Sequence, residues 1–178
     1  MNKKNKLLRN TIAAYHNADD GDWIENTVRC NNSKHADIII IPGGVDVDTA
    51  YYNEPRGKYT QVPYPNRDRM EEEAIKYAWA NGQYNVGICR GSQFQTILAG
   101  GKLIQHVTNH SGHHDVETID NGTIRTNSIH HQMCYPWNLS EDDYIVLAYT
   151  LGNSTTYLDG WNDQTEFPEQ YCPLAYGA

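Results

Sequence analysis

One cysteine between two glycines, at the end of a short apolar run, constrains this chain more than any other feature. It lies in YNVGICRGSQFQTILAGG, residues 84–101. Glycines on both sides of Cys89, at positions 87 and 91, let a strand turn abruptly into a helix without a steric clash, which is the form of a nucleophile elbow. The apolar residues after the turn fall on one helical face and end at Gly100-Gly101. The pattern predicts a strand, a sharp turn and a helix.

The position of the thiol suggests a chemical role. The aligned dipoles and free N–H groups of a helix N-terminus stabilise a thiolate, so we expect Cys89 to be nucleophilic near neutral pH and suited to acyl transfer. The other interpretation is a chance G-x-C-x-G string around an ordinary buried thiol. The motif alone does not decide between them.

Further apolar runs place the elbow in a larger fold. TIAAY at 11–15, ADIIIIPGG at 36–44 and YIVLAYT at 144–150 are typical of strands buried on both faces of a sheet. NRDRMEEEAIKYAWANG has helical spacing and a capping Gly82. The order predicts an α/β fold, an open and mostly parallel sheet with helices on both faces. A chain of 178 residues suits a single domain over 1–178.

A second glycine turn supports the acyl-transfer interpretation. Acyl transfer needs N–H donors aimed at the developing oxyanion, and Pro42-Gly43-Gly44, at the end of the isoleucine run, can supply one. By itself this turn is better explained as an ordinary strand end.

Composition excludes several classes of function. A net charge of −8 opposes direct binding of nucleic acid. The four cysteines form no CxxC pair, which argues against a zinc knuckle or a disulfide framework. No window approaches the roughly 18 apolar residues of a membrane span, and the N-terminus lacks the apolar region of a secretory signal. We therefore expect a cytoplasmic protein with no membrane association and no cofactor.

Two polar clusters have simpler interpretations than a site. QHVTNHSGHH at 105–114 holds four histidines, but no carboxylate or cysteine completes a ligand spacing. We interpret it as a surface loop and expect no metal. MEEEA at 70–74 is typical of a solvated helix face, and Asp68 is a candidate helix N-cap.

Four segments in order resemble the class I glutamine amidotransferases, most closely the branch of gamma-glutamyl hydrolases and gamma-glutamyl-GABA hydrolases. These segments are IIPGGVDV, NRDRMEEEAI, NVGICRGSQFQTILAGGKLIQHV and TNSIHHQM. The resemblance implies a flavodoxin-like amidotransferase fold and no catalytic metal. It also implies that Cys89 attacks a side-chain amide to form a gamma-glutamyl thioester.

The same resemblance implies binding roles for other residues. Backbone N–H groups of Gly44 and Arg90 match the oxyanion hole. Gln93 matches a position that contacts the bound glutamyl group. Ser128, Ile129 and His130 match the segment that holds its α-amino and carboxylate ends.

The chain departs from the family at one motif. Members carry His-Pro-Glu on a late strand, where the histidine is the base and the glutamate orients it. The nearest string here is Phe167-Pro168-Glu169. We interpret the C-terminal end as incomplete, with the last strand and helix missing; the alternative is a degenerate site at Phe167. His130 or His131 could in principle act as the base, but a positioning role is the stronger interpretation.

The sequence therefore predicts cysteine-dependent hydrolysis of gamma-glutamyl amides. The substrate would be glutamine or another small gamma-glutamyl compound, and a separate synthase is a possible partner that accepts the ammonia. The alternative is an inactive module that binds a gamma-glutamyl ligand without turnover.

Overall fold

The structure is a computed structural model that describes most of the middle of the chain and several isolated strands. The described residues are 11–15, 27–30, 32–108, 110–136, 138–150, 157–159, 163–165 and 172–173. Phe167, Pro168 and Glu169 lie outside them, so the expectations about the His-Pro-Glu motif stay predictions.

A four-stranded parallel sheet forms the centre of the fold. Its strands are β1 (Thr11–Tyr15), β2 (Thr27–Cys30), β3 (Ile38–Ile41) and β4 (Tyr84–Gly87), in the spatial order β2-β1-β3-β4. Strand β3 pairs with β1 on one side and with β4 on the other, both parallel. The predicted α/β class is confirmed.

The isoleucine run of β3 is buried on both faces of the sheet, as its continuous apolar sequence predicts. Ile39 and Ile41 belong to the main core cluster, which also contains apolar residues of both long helices. Ile38 and Ile40 face the other way and pack against Val86 and Ile88. Because successive side chains of a strand alternate between faces, both helices lie over the Ile39–Ile41 face.

Two α-helices flank the elbow in sequence. Helix α1 (Pro65–Asn81) begins with proline at its first position and ends at Gly82, whose φ of 65° gives the predicted left-handed cap. Helix α2 (Arg90–Leu98) follows Cys89 directly. Short 3₁₀ turns lie at Ser33–His35 and Thr49–Tyr52. No helix of the described residues is long and apolar enough to cross a membrane.

The remaining described strands form antiparallel pairs. Their strands are β5 (Lys102–Ile104), β6 (His106–Val107), β7 (Gly112–Thr118), β8 (Thr123–Ser128), β9 (Met133–Tyr135), β10 (Ala148–Thr150), β11 (Tyr157–Asp159), β12 (Asp163–Thr165) and β13 (Cys172–Pro173). Strands β7 and β8 form a hairpin inside the sheet β13-β10-β7-β8, while β5 pairs with β9. The predicted buried strand at 144–150 is wrong for its first half, because the strand begins at Ala148 and Ile145 is 67% exposed. Strand β8 leads into the segment 128–132, and this connection brings SIHHQ toward α2.

Candidate active site

Cys89 occupies a sharp turn between β4 and α2, as predicted. Its φ of 52° is positive, which is uncommon for a residue with a side chain. A Cβ added at Gly87 would overlap the backbone nitrogen of Ser92, and one added at Gly91 would overlap the carbonyl oxygen of Ile41. Both flanking glycines are therefore required by the close approach of strand, turn and helix.

Two backbone amides converge on the thiol. The N–H groups of Arg90 and Gly44 both donate toward the Cys89 sulfur. The glycine turn lies directly against the cysteine, because a Cβ at Gly43 would be 3.3 Å from Cys89 Cβ. One donor thus comes from the start of α2 and the other from the turn after β3.

Burial opposes the sequence-based expectation for the ionisation of Cys89. Burial raises the pKa of the thiol above its ordinary value, and the nearby Asp46 carboxylate raises it further. The Arg90 and Gly44 amides and the Arg90 guanidinium lower it, but by less than burial raises it. The Arg90 amide at the helix terminus lowers the pKa as expected but burial outweighs it, so the nucleophilic state of Cys89 near neutral pH stays a prediction.

Gln93 connects the elbow helix to the segment 128–132. The residue is 3% exposed, and its Nε2 donates to the backbone carbonyl of Gln132 over 2.8 Å. Its amide nitrogen therefore fixes the distance between α2 and that segment. Direct contact of Gln93 with a glutamyl group stays a prediction.

The three residues of the predicted glutamyl-binding segment have different surroundings. Ser128 is 2% exposed, and its Oγ has no hydrogen-bond partner among the described residues. Ile129 is 90% exposed, so its side chain points to solvent. His130 Nδ1 lies 2.9 Å from the Gln132 carbonyl oxygen, and burial lowers the pKa of this imidazole. Ser128 is the member with a free polar atom inside the protein.

A carboxylate next to the elbow, and its contact with an imidazole pair, were missed by the sequence analysis. Asp46 Oδ2 accepts from the backbone N–H of Gln61 over 2.8 Å and lies 3.3 Å from His131 Nε2. His131 Nδ1 lies 3.2 Å from His106 Nδ1, and the His106 ring stacks on Tyr59. Both ring nitrogens of His131 are thus engaged. The sequence signals were the acidic residue after the PGG turn and the doubled histidine of SIHHQ.

A second group of imidazoles lies behind the segment 128–132. The His110 ring is centred 4.7 Å from that of His114 and 4.9 Å from that of His130. His110 is buried, which corrects its interpretation as part of a surface loop, and burial lowers its pKa to about 4. Within the part of the chain that the structure describes, no three potential ligands are arranged to hold a metal ion.

Comparison with known families places this geometry in context. The model of the Peptidase C26 family matches residues 25–134, which include the elbow, the glycine turn and the segment 128–132. This chain belongs to the Peptidase C26 family. The family is class I glutamine amidotransferase-like, so the coarser part of the resemblance is confirmed.

Individual relatives of this Peptidase C26 member carry similar descriptions. The chain is 39% identical over 85 residues to a provisionally named glutamine amidotransferase of Mycobacterium tuberculosis, covering 46% of this chain and 27% of the relative. It is 38% identical over 72 residues to a glutamine amidotransferase-like protein of Lactococcus lactis subsp. cremoris, covering 40% of this chain and 38% of the relative. The matches thus span well under half of these relatives.

A solved structure supports the fold. A provisionally named GMP synthase subunit from Thermoplasma acidophilum superposes with a TM-score of 0.50 and 15% identity, covering 79% of this chain and 73% of that one. At this identity the likeness concerns the architecture alone. It fits the flavodoxin-like amidotransferase fold that the sequence predicts for this Peptidase C26 chain.

The start of α1 contains the largest departure from the sequence-based expectations. Tyr64, not Asp68, precedes the helix as its N-cap residue. Asp68 and Glu71 are 1% and 2% exposed, and both form ion pairs with the buried guanidinium of Arg90. The expected solvated face is therefore partly a buried ionic network. Glu71 and Asp68 are 19 and 22 residues from Arg90 in the chain, so no local sequence pattern reveals the pairing.

Proposed function

We propose that this chain hydrolyses gamma-glutamyl amides through a thioester on Cys89. The observation that carries the proposal is the sharp turn that places Cys89 at the start of α2 and against the Gly43–Gly44 turn, with the Gly44 and Arg90 amides beside its sulfur. Donors that already lie beside the attacking atom can stabilise the negative oxygen that develops when the substrate carbonyl becomes tetrahedral. Membership of Peptidase C26 supports this reaction class.

In the proposed reaction the Cys89 thiol loses its proton to a base, and the sulfur attacks the gamma-carbonyl carbon. The Gly44 and Arg90 amides hold the oxyanion. The C–N bond then breaks, the amine leaves with a proton from the base, and a gamma-glutamyl thioester remains. Water adds to the thioester with the base again taking a proton, and glutamate leaves as the thiol re-forms.

The base in this proposal comes from outside the described residues. Since burial raises the pKa of Cys89, the thiol needs a proton acceptor near neutral pH. His131 uses both ring nitrogens on Asp46 and His106, and His130 Nδ1 faces the Gln132 carbonyl. These contacts support positioning roles for the two imidazoles.

Recognition of the glutamyl group is assigned to the segment 128–132. The unpartnered Ser128 Oγ supports a hydrogen bond to the substrate, because a buried hydroxyl without a partner costs free energy that a ligand can recover. Gln93 keeps this segment at a fixed distance from Cys89 through its bond to the Gln132 carbonyl. The gamma-glutamyl branch of the resemblance rests on the same residues.

The first experiment combines turnover with covalent labelling of the full chain. We expect 6-diazo-5-oxo-norleucine, a glutamine analogue, to add one equivalent at Cys89, and γ-glutamyl-p-nitroanilide to release p-nitroaniline. The Cys89→Ser variant is the matched control and should do neither. If the unmodified chain shows neither labelling nor turnover, the proposed activity is wrong.

A second candidate is a module that binds a gamma-glutamyl ligand without turnover. Phe167 favours it, because this residue precedes Pro-Glu where the family pattern has the base histidine, and a thiol without a base attacks an amide slowly. Calorimetry with glutamine separates the two: binding with turnover supports the hydrolase, and binding without turnover supports the module.

The fate of the nitrogen is a further question within the proposal. A glutaminase that hands ammonia to a synthase prefers glutamine, whereas a hydrolase accepts larger gamma-glutamyl amines. We favour the hydrolase and expect kcat/KM for γ-glutamyl-methylamide to equal or exceed that for glutamine. A clear preference for glutamine would point to an ammonia-accepting partner.

A further inference from the structure

The guanidinium of Arg67 lies against the glycine turn that supplies one of the two amides. Its Nη2 donates to the carbonyl oxygens of Pro42 and Gly43 over 3.1 and 3.0 Å. Its Nε donates to Glu71 Oε1 over 2.7 Å, so a second side chain of α1 also holds the guanidinium in place. The side chain is 22% exposed. Arg67 therefore joins the helix to the turn with directed hydrogen bonds.

Holding the Gly43 carbonyl also aims the Gly44 amide. The two groups belong to one planar peptide unit, and the described chain contains no cis peptide bond, so they point in opposite directions. When Arg67 fixes the Gly43 oxygen toward α1, the Gly44 N–H must point away from α1. In the structure it donates toward the Cys89 sulfur.

A glycine pair needs such a restraint. Without side chains, Gly43 and Gly44 can adopt conformations in which the peptide between them is rotated and its N–H no longer faces Cys89. Gly44 has a φ of 154°, and a Cβ placed there would overlap Arg67 Nη1. The guanidinium thus fills the space that a side chain at residue 44 would occupy.

The same helix also contacts the side chain of the residue that supplies the second amide. Arg90, whose N–H is the other donor to the sulfur, pairs through its guanidinium with Glu71 Oε2 and with Asp68. Glu71 therefore contacts both arginines, one with each carboxylate oxygen. One buried carboxylate on α1 connects the two halves of the proposed oxyanion hole.

We propose that Arg67 is a positioning residue that sets the orientation of the Gly43–Gly44 peptide, with Glu71 holding the Arg67 guanidinium in place. The catalytic part of this inference rests on the proposed function. The geometric part does not, because the direction of the Gly44 amide can be measured in the absence of any substrate.

The test uses Arg67→Met, Arg67→Lys and the control Arg69→Met, since the exposed Arg69 lies on the same turn of α1. We expect Arg67→Met to lower kcat on γ-glutamyl-p-nitroanilide by about 10²–10³-fold, the usual effect of losing one oxyanion donor, with KM changed less than about threefold. Arg67→Lys should recover part of the loss, because an ammonium can donate to one carbonyl but lacks the planar fork. Arg69→Met should match the unmodified chain.

Two further measurements separate a positioning role from damage to the site. Alkylation of Cys89 by iodoacetamide forms no oxyanion, so its rate in Arg67→Met should stay within about fivefold of the unmodified rate. Hydrogen exchange of the Gly44 amide should accelerate at least about tenfold in Arg67→Met and stay unchanged in Arg69→Met.

Unchanged kcat together with unchanged exchange in Arg67→Met would overturn the inference. Parallel loss of alkylation and turnover would overturn it too, since that result indicates a collapsed site. If neither the unmodified chain nor Arg69→Met turns over substrate, the proposed function fails. The exchange rate of Gly44 then still decides whether Arg67 sets the peptide.

Discussion

The two regions that border Cys89 differ in how the side chains at their centres are partnered. Around the elbow, the terminal nitrogens of Arg90 are paired with two carboxylates and Arg67 with two carbonyls, while Arg90 Nε has no partner among the described residues. In and behind the segment 128–132, Ser128 Oγ, both side-chain amide atoms of Gln132 and His110 Nε2 have no partner among the described residues.

This difference suggests that one region holds the reacting groups and the other binds the ligand. A buried ionic network whose charges are compensated has a favoured arrangement, so it can hold the groups of a reaction in place before a substrate arrives. Unpaired buried atoms carry a free energy cost that a bound ligand or ordered water relieves. We therefore propose that the elbow region carries the reaction and that the segment 128–132 carries recognition.

The largest effect is expected from Cys89→Ser, which breaks the reaction side alone. Turnover on γ-glutamyl-p-nitroanilide should fall by at least about 10⁴-fold, because a serine without a matched base is a poor nucleophile. Glutamine binding, measured by calorimetry, should stay within about threefold. Loss of binding along with turnover would show that the two regions do not have separate tasks.

Arg90→Met tests the paired network. It leaves Asp68 buried without its cation and Glu71 paired with Arg67 alone, and breaking a buried pair costs about 3–5 kcal/mol of unfolding free energy. Urea unfolding measures this loss.

The matched control is Lys76→Met, which removes the exposed pair with Glu72. Its lysine side chain is 59% exposed, so the cost should be below about 1 kcal/mol. Equal losses in the two variants would mean that the Arg90 network does not support the fold.

The buried imidazoles predict how stability depends on pH. Burial lowers the pKa of His110 from 6.5 to about 4, so the unfolded chain binds its proton first as pH falls. The free energy of unfolding is therefore unaffected by His110 above pH 6.5. It falls progressively as the pH is lowered from 6.5 to 4, by about 2–3 kcal/mol.

Urea unfolding at several pH values, with His110→Gln and the exposed His113→Gln as a pair, isolates the effect. The loss between pH 6.5 and 4 should be smaller in His110→Gln and unchanged in His113→Gln. Parallel curves for all three proteins would rule out His110 as the source.

Ser128→Ala gives the smallest expected effect and tests recognition directly. Removing one hydrogen bond to the ligand should weaken glutamine binding by about tenfold, with kcat nearly unchanged. The unfolding free energy should not fall, because the hydroxyl has no partner to lose. The exposed Ser111→Ala is the control, and a fall in stability without a change in binding would assign Ser128 to the fold instead.

Local sequence patterns were sufficient for the elements that carry the elbow. The isoleucine run predicted β3, the spacing of apolar residues predicted α1 and α2, and Gly82 predicted the helix end. Each of these depends on residues a few positions apart, where periodicity and capping act.

Contacts between distant residues were not predictable in the same way. The acidic residues of α1 look like an exposed face until Arg90, from a different element, lies beside them. The contact between Asp46 and His131 joins residues far apart in the chain, so only the fold reveals it. For the same reason the effect of burial on the pKa of Cys89 was not predicted, because burial depends on what packs around the turn.

The backbone of Cys89 has a consequence for the evolution of such chains. A residue with a side chain at a φ of 52° is held in a sparsely populated conformation that costs on the order of 1–3 kcal/mol, whereas glycine adopts it freely. Replacing Cys89 by glycine therefore removes the thiol and also removes the backbone strain of the turn. A lineage released from the need for the reaction would gain thermal stability by giving up its cysteine.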